Sequence, residues 1–407
     1  MRTNSPSSLK HHKIPSGVWG IGFSNLLINL ATTMVYSISA VFLTTVLGAS
    51  MSVFGFIDGF VEAIALSVRV GSGWTSDLLH KRKPLLYTGY ILSLFSTILM
   101  ALTTTVGMFF SARIVNRLSN GLQAAPRDAL VGDISPKEIK GAAFGLRHTL
   151  TVVGSLVGPL IVLWLMYISS DNFRFVFYLS AIPAFLGIVL LFFLVKEPPS
   201  PEFMDKKKKE RFSFKLLKEL WNTSNGYWGL VFLGGIFMMS RFSEGFMILR
   251  MKNLGLETTW VAGVMLVMNL FNALSAYPMG RLSDKYDRGR LMRYALMFLV
   301  AANGFLAFSS SWTVGYIGVA LWGIQMGSIQ SLLMGMIIDY AQDKKYRALA
   351  FGVFYCISGI VHLVTNLIAG YLWDSFTPAA PFLYSAAFAI LTFFGTFFLK
   401  KVRQYHH

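Results

Sequence analysis

A loop that follows one long apolar run recurs 207 positions later, after another such run. The first copy reads Gly73-Trp74-Thr75-Ser76-Asp77-Leu78-Leu79-His80-Lys81-Arg82-Lys83, and the second Gly280-Arg281-Leu282-Ser283-Asp284-Lys285-Tyr286-Asp287-Arg288-Gly289-Arg290. The same offset carries Leu47-Gly48 onto Leu254-Gly255, and Ala143-Phe144-Gly145 onto Ala350-Phe351-Gly352. Three anchors at one spacing indicate a duplicated half. Two similar halves in a very apolar chain point to a transporter with its site between them.

The apolar character sets the compartment. Only 14% of the 407 residues are charged and 54% are apolar, against roughly 25% charged in a soluble domain. Stretches of roughly 20 mostly apolar residues can cross a bilayer. Twelve lie near 22–46, 52–75, 85–105, 107–126, 142–167, 173–195, 227–249, 260–282, 291–310, 314–338, 349–373 and 380–399. The chain therefore divides into a six-helix bundle (1–196), a polar linker (197–222) and a second six-helix bundle (223–407). The linker carries Lys206-Lys207-Lys208-Lys209, and Phe212, Phe214, Leu216, Leu217 and Leu220 suggest a short amphipathic helix on the membrane surface.

A net charge of +17 raises nucleic acid as a partner, but its distribution argues against one. Most Lys and Arg fall in the tails and in the loops around 81, 137, 207, 288 and 345, while Arg174, Arg250 and Lys252 lie on the other side. Basic loops mark the cytoplasmic side, so both termini are expected in the cytoplasm of a multi-pass cell-membrane protein with no cleaved signal. The single cysteine, Cys356, excludes an internal disulfide and is expected to pack. There is no phosphate-cradling Gly-x-x-x-x-Gly-Lys loop, no His-Glu-x-x-His and no Gly-x-Ser-x-Gly, so neither an ATP-driven pump nor an enzyme is expected, and no cofactor or metal. Pro126-Arg127-Asp128 reads as a turn that ends the fourth span.

The twin six-span halves and the duplicated loop resemble the major facilitator superfamily. The resemblance implies an all-α membrane fold of twelve helices in two pseudo-symmetric bundles, working as a monomer. It also implies that the loop residues Gly73, Asp77, Lys81, Arg82, Gly280, Asp284 and Arg288 latch the halves on the cytoplasmic side. Arg117-x-x-x-Gly121-x-x-x-Ala125 in the fourth span is similar to a pattern of the family's drug–proton antiporters, in which the arginine assists proton coupling. Gly154-x-x-x-Gly158-Pro159 matches their fifth-span signature in part, although Leu160-Ile161-Val162 follows where a glycine pair is expected, and small residues four apart also allow plain close packing.

Charges at bilayer depth are costly and face cavities. Asp58, Glu62 and Arg69 share one helical face, as do Arg113 and Arg117. Arg147, His148, Arg241, Glu244 and His362 are also deep. Five arginines against Asp58, Glu62 and Glu244 predict a positively biased cavity suited to an anionic or zwitterionic solute. The resemblance makes spans one, four, seven and ten the lining of the path. This selects Asn29, Tyr36, Arg113, Arg117, Arg241, Glu244, Trp322 and Gln325 for the solute. Glu62, Asp58, Glu244 and His362 are the candidates for carrying protons, Glu62 being the deeper of the first two acids. The expected function is proton-coupled alternating access for a small organic solute, with export favoured by the antiporter patterns. Proton symport of an organic anion or a metal-chelating metabolite such as a siderophore is the alternative. A transporter-derived membrane sensor or scaffold is a third reading.

Overall fold

The computed structural model describes residues 14–79, 82–136, 139–196, 225–283, 285–340 and 347–398. The linker expected at 197–222 lies outside them. The described residues hold thirteen α-helices. Six form the first half: α1 (Ser16–Val41), α2 (Met51–Leu79), α3 (Lys83–Leu102), α4 (Val106–Ile134), α5 (Lys140–Ile168) and α6 (Phe173–Leu194). The second half has α7 (Asn225–Met239), α8 (Gly245–Asn253), α9 (Ala262–Ser283), α10 (Arg288–Phe308), α11 (Trp312–Tyr340), α12 (Arg347–Ser375) and α13 (Ala380–Gly395). Among the described residues, eight rods are long and apolar enough to cross a membrane, and Gly226–Met239 and Ala380–Gly395 are shorter apolar helices.

Three features depart from the sequence reading. Pro126 does not end the fourth rod, because α4 continues through it to Ile134. A proline inside a helix costs one backbone bond and a clash one turn back, which neighbouring rods can hold in place. The seventh span is two helices rather than one, broken over Ser240–Glu244. Cys356, expected to pack, is exposed on α12.

The duplication is visible in the backbone. The two repeated Leu-Gly pairs both end a rod, α1 (through a π-helical turn, Phe42–Val46) and α8. Gly48 and Gly255 adopt left-handed φ angles of 69° and 91°, a conformation that glycine enters without steric penalty. Within the first six rods, α1 packs on α5 and α6, α2 on α4, and α3 on α4 and α6. In the second set α9 packs on α11, α10 on α11 and α13, and α7 on α12 and α13. Across the sets, α2 packs on α12 and α5 on α9. Exchanging the two sixes converts the first crossing into the second, as a pseudo-twofold axis requires.

The near face is taken as the one where α1 begins, and the far face as the one where it ends. Glycines bring rods into backbone contact. A Cβ on Gly154 would stand 2.6 Å from the Leu26 carbonyl oxygen, and one on Gly158 would strike Thr33. Both glycines of the antiporter-like signature thus seat α5 on α1 within one half, the packing role that their spacing also allows. On the cross-half seam, a Cβ on Gly55 would overlap the Asn366 carbonyl, and one on Gly370 the Met51 carbonyl.

Candidate functional site

Halfway along the rods, the break in the seventh span brings Glu244 to Tyr36 of the first half and sets Arg241 against Gln325 and Trp322 of the second. Carbonyls and N–H groups released by the break are taken up by neighbours. The Ser385 hydroxyl donates to the Ser240 carbonyl at 2.6 Å, and Thr365 donates to that of Met238 at 3.3 Å. His362 Nδ1 stands 3.0 Å from the Arg241 carbonyl, and the Ser243 N–H donates to Asn366 Oδ1 at 2.9 Å. A broken rod persists at membrane depth only when its orphaned backbone is satisfied in this way. His362, a candidate proton carrier by sequence, is one of these supports.

Around the break stand three acid–arginine pairs. Arg113 of α4 bonds Asp58 of α2, with 3% and 6% of the two side chains exposed. One turn along the same two rods, Arg117 lies 3.4 Å from Glu62, and here 18% and 33% are exposed. In the second half Arg241 lies 3.7 Å from Glu244 and also donates to Gln325 Oε1 of α11. Its guanidinium sits 5.2 Å from the ring centre of the fully buried Trp322.

Tyr36 of α1 joins the two halves. Arg113 and Arg117 stack on its ring at 5.2 and 5.6 Å. Its hydroxyl donates to Glu244 Oε2 at 3.0 Å and lies 3.2 Å from Ser243 Oγ. Tyr36 and Ser243 are 207 positions apart, the repeat offset. Equivalent positions can touch only where the pseudo-axis passes between them, so the axis runs through this cluster.

At the centre, Arg113, Arg117 and Arg241 each have an acid, so the positive surplus expected from the sequence lies outside this cluster, where Arg127 and Arg147 share Asp128 at 3.3 and 3.4 Å. The sequence count missed Asp128 because it placed that residue in a turn. In fact it lies inside α4, beside Arg127 and facing α5. Asn29 is also displaced from its expected role. Its amide donates to the Thr151 carbonyl at 2.7 Å and to Ser155 Oγ at 2.6 Å, both on α5. Asn29 belongs to the α1–α5 seam, and α1 reaches the centre through Tyr36 instead.

The cluster is open on one side. Along the shared face of α2, Asp58 is buried, Glu62 is partly open and Arg69 is exposed, so exposure rises toward the near face. On the far side Phe54 packs edge-on against Phe246 with ring centres 5.0 Å apart, and α2 and α12 touch backbone to backbone. Of the loop residues expected to latch the near face, Lys81 and Asp284 and the side chain of Asp77 lie outside the described residues. Gly73 and Gly280 are inside α2 and α9. Arg82 pairs with Asp133 of its own half at 2.5 Å, and Arg288 lies against Gly335 of α11.

The model of the Major Facilitator Superfamily matches residues 21–302 and 247–406. The chain belongs to the Major Facilitator Superfamily. It is 29% identical over 390 residues to an uncharacterized MFS-type transporter of Methanocaldococcus jannaschii, covering 93% of this chain and 94% of that one. It is 25% identical over 309 residues to the multidrug resistance protein MdtH of Photorhabdus laumondii, covering 74% and 71%. Among solved structures, a D-xylose–proton symporter superposes with a TM-score of 0.72 at 15% identity, covering 96% and 98% of the two chains. A POT family transporter in complex with 5-aminolevulinic acid does so with 0.74 at 14%, covering 95% and 96%. At these identities the likeness is one of fold. The family makes this chain a multi-pass membrane transporter, with the ion-pair cluster between its two halves.

Proposed function

We propose that this protein is a proton-coupled secondary transporter for a small zwitterionic organic solute, worked by alternating access in the cell membrane with both termini in the cytoplasm. The observation that carries the reading is the alternation of charge about the pseudo-axis: Asp58, Glu62 and Glu244 interleaved with Arg113, Arg117 and Arg241. With acids and arginines matched one to one, a lone anion would leave the site overcharged. A solute bearing both signs can replace an internal pair by two external ones. Its carboxylate suits the planar forks of Arg117 and Arg241, and its ammonium suits the acids thereby released. The POT family transporter of like fold was solved with an amino acid of this charge type, which supports the same class.

Proton coupling follows from the same geometry. A proton on Glu62 neutralises the partner of Arg117 and frees that arginine for the solute's carboxylate, while Glu244 stays ionised to receive the ammonium. Losing the proton restores the internal pair and releases the solute. Of the three pairs, Asp58–Arg113 is sealed from water, whereas Glu62 and Glu244 are in contact with it. The near-face opening is then the cytoplasmic one. The experiment is uptake into proteoliposomes under an imposed pH gradient, with size-matched zwitterions, anions and cations in competition. Zwitterions inhibiting at least tenfold better than anions supports the proposal; equal or better inhibition by simple anions contradicts it.

A further inference from the structure

The far face is closed by two carboxylates, Asp374 and Asp171, that lie 203 residues apart, four short of the repeat offset, and that bind hydroxyl partners in matching positions of the duplication. At the end of α12, Asp374 accepts from the backbone N–H groups of Met51 and Ser52 at 3.1 and 2.8 Å, and from the Ser52 hydroxyl at 2.6 Å. Those N–H groups open α2, in the other half. Just past the end of α5, Asp171 accepts from the Thr259 hydroxyl at 2.7 Å, in the short turn Thr258–Trp260 that leads into α9. Ser52 and Thr259 are separated by the repeat offset of 207. The two acids sit at the far ends of α12 and α5, the rods that the pseudo-axis exchanges.

We propose that Asp374–Ser52 and Asp171–Thr259 are paired, unequal latches that hold the far face shut, and that breaking them sets how readily the solute site turns outward. This rests on the alternating-access reading above. The inequality is chemical. Asp374 takes three donors and caps the start of a helix, where N–H groups have no partner of their own and the helix dipole favours a negative charge. Asp171 takes one hydroxyl. Both acids are near water, which weakens each bond. The α2–α12 side is therefore the stronger closure, and the α5–α9 side yields first. Gly370 and Gly55 lie on the stronger side, so the backbone contact there depends on the same latch. These residues touch no solute; they position the halves.

The test is access to a cysteine behind the seal. In a Cys356→Ser background, Phe54→Cys reports far-face opening through its rate of reaction with a membrane-impermeant thiol reagent, in oriented vesicles with the far face outward. Asp374→Ala is expected to speed labelling roughly five- to tenfold, the net effect of losing three bonds that nearby water has weakened. Thr259→Val is expected to speed it about two- to threefold, and the two together more than either. Asp374→Asn keeps an acceptor for the helix start and is expected to stay near the parent rate. Should Asp374→Ala fail to fold, Ser52→Ala removes one of the three bonds and is expected to give a smaller rise of the same sign. Parent-like labelling in Asp374→Ala, or a larger rise in Thr259→Val than in Asp374→Ala, would overturn the inference. If saturating solute speeds labelling in the parent while the latch variants do not, the latches fail and alternating access stands. If neither solute nor any variant alters labelling, the transport reading itself fails.

Discussion

Replacing Glu62 by Gln separates proton coupling from solute binding. The Glu62–Arg117 pair stands at 3.4 Å with a third of the glutamate exposed. At an effective dielectric near 20 its gross attraction is about 5 kcal/mol. Desolvation and water screening reduce the net worth of such a half-open pair to about 1 kcal/mol. An interaction of that size can be exchanged for a solute within a transport cycle without threatening the fold. Glu62→Gln mimics the protonated acid, leaving Arg117 ready for a carboxylate. In proteoliposomes, solute exchange without a gradient is expected to persist within about fivefold of the parent, because about 1 kcal/mol is a factor of roughly five. Accumulation driven by a pH gradient is expected to vanish. Asp58→Asn is the contrast. It leaves Arg113 buried without a counter-charge, at a cost of about 3–5 kcal/mol, so folded yield and Tm fall before transport can be measured. Gradient-driven accumulation at the parent level in Glu62→Gln would refute Glu62 as the proton carrier. A well-folded Asp58→Asn that loses only coupling would move that role to Asp58.

Three further outcomes follow from packing. Gly370→Leu places a side chain against the Met51 carbonyl, so it should prise α2 from α12 and raise far-face thiol labelling; unchanged labelling would mean that the seam is not the closure. Asn366→Leu leaves the Ser243 N–H at the helix break without its acceptor, and unfolding measurements should find about 1–3 kcal/mol lost. Arg250 ties the end of α8 to the carbonyls of Leu306, Ala307 and Ser309 at the end of α10. Arg250→Lys cannot reproduce that planar fork and should cost about 1–3 kcal/mol by the same measurement, with coupling intact in vesicles.

Much of the architecture was legible in the chain. Rod positions follow from apolar run length, and the repeat offset leads directly to the left-handed Gly48 and Gly255 and to the Tyr36–Ser243 contact on the pseudo-axis. The membership of the cluster was also readable, since charges at bilayer depth are few. Their pairing was not. Spacing on one helix shows that Asp58 and Glu62 share a face, but only the packing of α2 on α4 shows that each meets its own arginine. The break at Ser240–Glu244 carries no proline, and its cause is remote: Asn366, His362, Thr365 and Ser385 offer bonds that compete with those of a continuous helix. Asn29 was misplaced because a helical face chosen by analogy cannot distinguish a seam with α5 from an open path. Pro126 misled because local propensity ends a helix there and tertiary contact does not.

The central claim is that the halves rock about the Tyr36–Glu244 junction, opening one face as the other closes. Pulsed electron–electron distances between spin labels test it most directly, with one pair at Ala49 and Ala379 on the far face and another at Gly141 and Leu282 on the near face. As a zwitterionic solute and protons are added to the reconstituted protein, the far-face distance should lengthen while the near-face distance shortens. Distances that stay fixed, or that change together in the same direction, would contradict the account.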